Sequence, residues 1–302
     1  MNLFTVVNVA FILIYLLVGL YCSRVTKSLD DYYIMDQNAP SILITGTLIA
    51  TNVSSVTFIG YTGSIYTTRH LPYTSIFGLT VITALFVGLY LGRYFWRMKI
   101  YTLPDYFSKR FPSEKVRIAA TAIVLVSMIG YLVTVMIGTN VVLNQLYGWS
   151  QTTSLLVVLG IISIFTVAGG MRGVVITDTI MMIVILVAAS SMGPYIVKAA
   201  GGWPNAMKKA ATSLPNFMDW HGTNNPFDAF WFLIETNIFS MILGMASPQL
   251  LSRTFIAKDE KTLARAEIVQ ALIVPVFVFI FFGCYGLLPL VAKDIDPVNA
   301  YT

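Results

Sequence analysis

Gly46-Thr47-Leu48-Ile49-Ala50-Thr51-Asn52-Val53-Ser54-Ser55-Val56-Thr57-Phe58-Ile59-Gly60-Tyr61-Thr62-Gly63 is an apolar run with a polar middle. Thr51, Asn52, Ser54, Ser55 and Thr57 fall within seven residues, and two glycines follow. Asn, Ser, Thr and Val are poor helix formers because they restrict rotamers or compete for backbone hydrogen bonds. A helix opened here presents carbonyls and hydroxyls, the hard oxygen ligands that a small cation takes. The same residue types also serve close packing between membrane helices, and the local sequence leaves both readings open. Asn52-Val53-Ser54 matches a glycosylation sequon, but its place inside an apolar run argues against modification.

The surroundings of this stretch decide its solvent. Of the 302 residues, 57% are hydrophobic and only 11% charged, with a mean hydropathy of +0.76. Soluble domains carry about 25% charged residues, so the chain reads as an integral membrane protein. Apolar segments fall at 4–22, 41–66, 73–96, 117–147, 152–169, 173–198, 227–250 and 266–291. Backbone groups cannot stay unpaired in hydrocarbon, so each span is expected to be helical, in a single all-α transmembrane domain over 1–302. The first run begins at Met1 with no basic region ahead of it and meets its first cation at Arg24, the reverse of a cleaved signal peptide.

Charge sets the direction. The stretches 23–40, 93–117, 170–172 and 251–265 hold 14 of the 19 Lys and Arg residues. Arg69, Lys198, Lys208, Lys209 and Lys293 lie on the other side. By the positive-inside rule the N-terminus is outside, and 199–226 is an external loop with room for a short amphipathic helix. A formal charge of +5 confined to short loops speaks for orientation in a bilayer and against nucleic acid. Cys22 and Cys284 lie in apolar stretches with no disulfide or metal spacing. His70 and His221 fall in separate external loops, and no HExxH, GxSxG or P-loop pattern is present, so no enzyme is expected. A channel or receptor built on the same helices stays open as an alternative.

The seventh segment is also interrupted. It carries Glu235-Thr236-Asn237, then Gly244 and Ser247-Pro248-Gln249. An intramembrane carboxylate marks function by default, although Glu235 lies near enough to the outer edge to meet water. The two interrupted segments are five spans apart and cross in opposite directions. Paired broken helices in inverted repeats point to the binding site of a secondary transporter.

These stretches resemble the sodium/solute symporter family. The likeness rests on Leu29-Asp30-Asp31-Tyr32-Tyr33, Ala50-Thr51-Asn52-Val53-Ser54-Ser55, Phe58-Ile59-Gly60 and Tyr101-Thr102-Leu103-Pro104-Asp105-Tyr106. It continues through Arg110-Phe111, Gly169-Gly170-Met171-Arg172-Gly173-Val174-Val175, Thr177-Asp178, Pro248-Gln249-Leu250-Leu251-Ser252-Arg253 and Ala257-Lys258-Asp259. The resemblance implies a LeuT-like inverted-repeat bundle, here stopping after the second helix of the second repeat. It implies sodium-coupled symport of a small polar organic solute by alternating access, in the cell membrane, with sodium as coupling ion and no other cofactor. By position, the carbonyls of Ala50 and Val53 would bind sodium, with Asp178 on the sodium exit path. Asp178 is equally placed as a charge favoured at a helix N-terminus. Asn52, Ser54, Ser55, Thr57, Phe239 and Ser240 would face the solute.

Departures narrow the solute. Met181 stands where the family usually has Gln, Val56-Thr57 where its sugar branch has Glu-Gln, and Leu243-Gly244 where that branch has a Tyr-Trp gate. Pro248, Leu250-Leu251, Arg253 and Ala200-Gly201-Gly202 look more like the proline and pantothenate branch. The hydroxyls that complete the family's sodium site belong to a third helix of the second repeat. A lone chain ending at Thr302 is therefore expected to be a fragment or truncated product that does not transport.

Overall fold

A computed structural model describes residues 3–53, 85–213, 230, 231, 234, 238 and 247–291. Among these the secondary structure is helical, with one isolated parallel bridge, Ala39 to Ala257. The first span is α1, Leu3–Val25, an apolar helix closed by Arg24 in its last turn. A cation there is favoured by the helix dipole. Two small elements follow inside the expected inner loop. Helix α2, Leu29–Ile34, starts at Ser28, whose hydroxyl accepts the Asp31 amide hydrogen at 2.9 Å. A 3-10 turn, Met35–Gln37, comes next.

Helix α3, Ser41–Asn52, is the described part of the expected second span, and Val53 lies beyond it in a bend. A π-helix, Val87–Gly92, and α4, Arg93–Arg97, close the third. The π form is not foretold by its sequence. In the basic loop that follows, α5, Leu103–Arg110, starts at Thr102, whose N–H and hydroxyl both donate to Asp105 Oδ2 at 2.9 Å. Helix α6, Glu114–Tyr147, stops at Gly148, which takes a left-handed φ of 66°. Its 34 residues span about 50 Å at 1.5 Å per residue, longer than the ~30 Å hydrocarbon core.

The fifth and sixth spans form α7, Gln151–Ala199, broken at Gly170 (φ 55°, ψ −157°). The break falls where the Gly169-Gly170-Met171-Arg172 turn was expected. A Cβ at Gly170 would come within 2.8 Å of Tyr32 Cδ2, so both backbone angle and space require glycine. The 199–226 stretch carries the foreseen short helix, α8, Trp203–Ser213. Two boundaries differ from expectation. Helix α9, Pro248–Phe255, runs into the stretch expected to be an inner loop. Helix α10, Glu260–Tyr285, begins six residues before the predicted span and is followed by a separate α11, Leu288–Val291. Asp259 explains the early start, because its carboxylate caps the helix by accepting the Thr262 amide hydrogen at 2.7 Å. Residues of the seventh span at 235–237 and 239–246 lie outside the described set. Three described helices, α1, α6 and α7, are long and apolar enough to cross a membrane.

By internal contact the chain divides into two units. One comprises Met1–Thr51, Gly92–Met182 and Pro248–Ala266; the other comprises Asn52–Leu91, Ile183–Ser247 and Glu267–Thr302. The core of the first gathers Met35, Ala39, Ile44, Leu48, Val175, Ile256, Ala257, Leu263 and Ala266. Backbone stitches its α2–α3 connection to the chain between α9 and α10: Ala39 N–H donates to Ile256 O at 3.0 Å, and Lys258 N–H donates to Ala39 O at 3.3 Å. Trp96 Nε1 donates to Ala257 O at 2.8 Å. In the second unit Tyr285 donates to Met192 Sδ at 3.4 Å, beside a close approach of Gly193 to Cys284.

Candidate functional site

Helix α3 approaches the second half of α7 at Gly46. A Cβ there would lie 2.5 Å from Thr179 Oγ1 and 2.9 Å from its Cα, so glycine lets the two helices touch. The next residue, Thr47, is fully buried and donates its hydroxyl hydrogen to Asp178 Oδ2 at 2.5 Å. Thr177 and Thr179 donate theirs to carbonyls of their own helix, at Gly173, Val174 and Val175. Of these three, only Thr47 ties one helix to another.

Asp178 has a second partner. Arg253 of α9 places Nη2 3.4 Å from the same carboxylate oxygen, and both side chains are largely buried. Arg253 also directs Nη1 to Met171 Sδ at 3.0 Å, while its Nε is buried without a hydrogen-bond partner. Gln249 stands one turn before Arg253, and its Oε1 is likewise buried and unpartnered. A carboxylate removed from water needs a compensating charge and donors, and Arg253 with Thr47 supply them. A cation approaching Asp178 must therefore share it with Arg253.

A turn beyond Thr47, α3 comes to its end. The last four carbonyls of any helix lack partners within it. Ala50 lies in that last turn and Val53 just after it, and both are buried. Asn52, the final helical residue, is exposed yet has an interaction partner. Of the interruption expected in this polar stretch, the described residues show the bend at Val53. Ser54, Ser55, Thr57, Phe239 and Ser240 lie outside the described residues, and of the interruption expected in the seventh segment only the helical Ile238, the non-helical Ser247 and the helical Pro248-Gln249 are described.

The structure joins Ala50, Asp178 and α3 as far as Thr51 in one unit. It adds Thr47 and Gln249, which sequence reasoning had not singled out as site residues, and turns Arg253 from a motif letter into the counter-ion of Asp178. A signal for Thr47 was present: it stands four residues before Thr51, on the same helical face, behind a glycine. A second ion pair holds α2 to the α7 break, with Arg172 Nη2 2.6 Å from Asp31 Oδ1. Among the described residues no group of three or more His, Cys, Asp or Glu residues could hold a metal.

The E. coli (strain K12) sodium/pantothenate symporter is 25% identical over 284 residues, covering 90% of this chain and 57% of the symporter. The sodium/glucose cotransporter of Vibrio parahaemolyticus is 27% identical over 248 residues, covering 80% of this chain and 41% of the cotransporter. A solved structure of a Na+-coupled sialic acid symporter, in a substrate-bound outward-open state, superposes with a TM-score of 0.82 at 22% identity. It covers 98% of this chain and 65% of that one, and its LeuT-like fold is the fold found here. The chain thus spans about half the length of the pantothenate and glucose relatives. The family model described as Sodium:solute symporter family matches residues 32–294, from the α2 motif through α10, so this multi-pass membrane protein belongs to the sodium:solute symporter family.

Proposed function

We propose that this chain carries the first-repeat part of a sodium-coupled symporter for a small polar solute, an amino acid or carboxylate such as proline or pantothenate. The observation that carries this reading is the end of α3 at Asn52 and Val53, with Ala50 and Val53 buried beside it. A helix end inside a membrane protein offers carbonyl oxygens to a cation, and sodium requires oxygen ligands. In this reading the carbonyls of Ala50 and Val53 bind sodium, and Asn52, Ser54, Ser55, Thr57, Phe239 and Ser240 face the solute. Asp178 lies on the sodium path, where Arg253 holds its charge until a cation competes for it.

The solute class is supported by the pantothenate symporter among the relatives, together with Val56-Thr57 in place of a sugar-branch Glu-Gln pair. The protein is placed in the cell membrane with its N-terminus outside. Uptake of labelled proline and pantothenate by cells expressing the full-length gene, with sodium present or replaced by choline, tests the reading. Sodium-stimulated uptake of either solute is expected. Equal uptake in both media, at normal abundance in the membrane, overturns it.

A further inference from the structure

A second buried carboxyl stands outside the site just described and has no part in the transport reading. Glu267 lies in α10, two turns from its start, and is 4% exposed. Among the described residues its carboxyl has no hydrogen bond and no ion pair. Against it lies the π-helix Val87–Gly92, a form found most often as a single distorted turn at functional sites. A Cβ at Gly88 would be 2.1 Å from Glu267 Cδ and 2.4 Å from Oε2. The carboxyl therefore rests on backbone that only glycine leaves open. Gln270, three residues on and on the same face of α10, is also 4% exposed, and its Oε1 is buried without a partner.

Charges nearby do not compensate Glu267. The one titratable residue of the π-helix, Tyr90, is exposed. Arg93, next along the chain, acts on Glu260. On α10 itself Lys261 and Arg265 are exposed. Two buried groups that accept hydrogen bonds thus share one helix face, and nothing described there donates to them.

We propose that Glu267, with Gln270 beside it and Gly88 behind it, is a proton-binding site. The carboxylate takes up one proton as it is closed off from water and releases it when water returns. Protonation removes a buried charge that nothing among the described residues compensates and adds an O–H donor beside the Gln270 acceptor. A proton needs a single oxygen, whereas a metal cation needs a shell of several. Because the closed arrangement holds the neutral form, alkaline pH favours the arrangement in which Glu267 is wet.

Infrared difference spectra of the purified chain, between acidic and alkaline buffer, test this. The wild type should show a protonated-carboxyl band that fades on alkaline titration and shifts in D2O. The band should be missing in Glu267→Gln and displaced in Gln270→Leu, which removes the nearby acceptor and keeps the charge. It should persist in Asp178→Asn. A band that neither titrates nor exchanges makes Glu267 a permanently neutral packing group and overturns the proposal. So does a band unmoved by Gln270→Leu, or one abolished by sodium at constant pH, which would make the ligand a metal cation. None of these readouts depends on uptake, so the proposal and the transport reading fail separately.

Discussion

Thr47 and Asp178, 131 residues apart in sequence, share a buried hydrogen bond of 2.5 Å that ties α3 to the second half of α7. The bond fixes the helix whose end carries Ala50 and Val53. It also gives a membrane-embedded carboxylate a donor besides Arg253. Thr47→Val keeps the volume and removes the donor, so it should destabilise the protein by about 1–3 kcal/mol. Thr47→Ser should recover most of that. Thermal unfolding of the purified variants in detergent measures both, and a Val variant as stable as wild type removes the bond from any structural role.

Loss of Arg253 should be worse. Arg253→Met leaves Asp178 buried beside a single neutral donor, at a cost of roughly 3–5 kcal/mol. Adding Asp178→Asn to Arg253→Met should restore a large share, because the uncompensated charge goes with it. Additive losses in the double variant would mean that the two side chains act independently.

Gly170 is the hinge on which α7 becomes two helices. Alanine there must adopt φ 55° and push against Tyr32. The strain of such a backbone is of order 1–3 kcal/mol before the clash is counted. Folded yield in the membrane should fall sharply for Gly170→Ala and little for Gly160→Ala, whose Cβ meets nothing within 4 Å. Equal yields would count against the kink.

Acid should loosen the inner surface. The amide of Thr262 holds the Asp259 carboxyl below its usual range, and the bidentate pairing with Arg97 does the same for Glu260. A lowered folded pKa means that stability is gained above the ordinary carboxylate range and lost as pH falls through the folded value. The loss therefore belongs below about pH 4. Both groups are partly exposed, so the effect is small and screened by salt. The stability difference between wild type and Glu260→Gln should be present at neutral pH, vanish in acid and shrink at high salt; a difference independent of pH contradicts the pairing.

Within the proposed site the two kinds of ligand should separate. In the full-length protein, Asn52→Ala should raise the solute KM by about 1–3 kcal/mol equivalent, the cost of an unsatisfied polar partner. Ala50→Gly should weaken sodium activation, by loosening the backbone that aims the carbonyls. Both KM values are to be read beside surface abundance. Unchanged KM values with less protein in the membrane would return this stretch to simple helix packing.

What the sequence determined by itself is the membrane solvent, the apolar runs and the places where they stop. A run of Leu, Ile and Val that cannot leave backbone groups unpaired has little choice but helix. Gly170 and Gly148 break the pattern through local backbone chemistry alone. The amphipathic helix after Gly201-Gly202 was legible for the same reason. The tertiary structure decided the partners. Asp178 reads in sequence as a charge at a helix start, and only the contact of Gly46 with Thr179 brings Thr47 to it. Arg253 reaches it because α9 extends into the expected loop. Glu267 stands near the start of the last apolar segment, and only the tertiary structure presents Gly88 to it. Local conformation follows from neighbours along the chain, whereas compensation of a buried charge depends on groups brought near by packing, and no spacing in sequence encodes that distance.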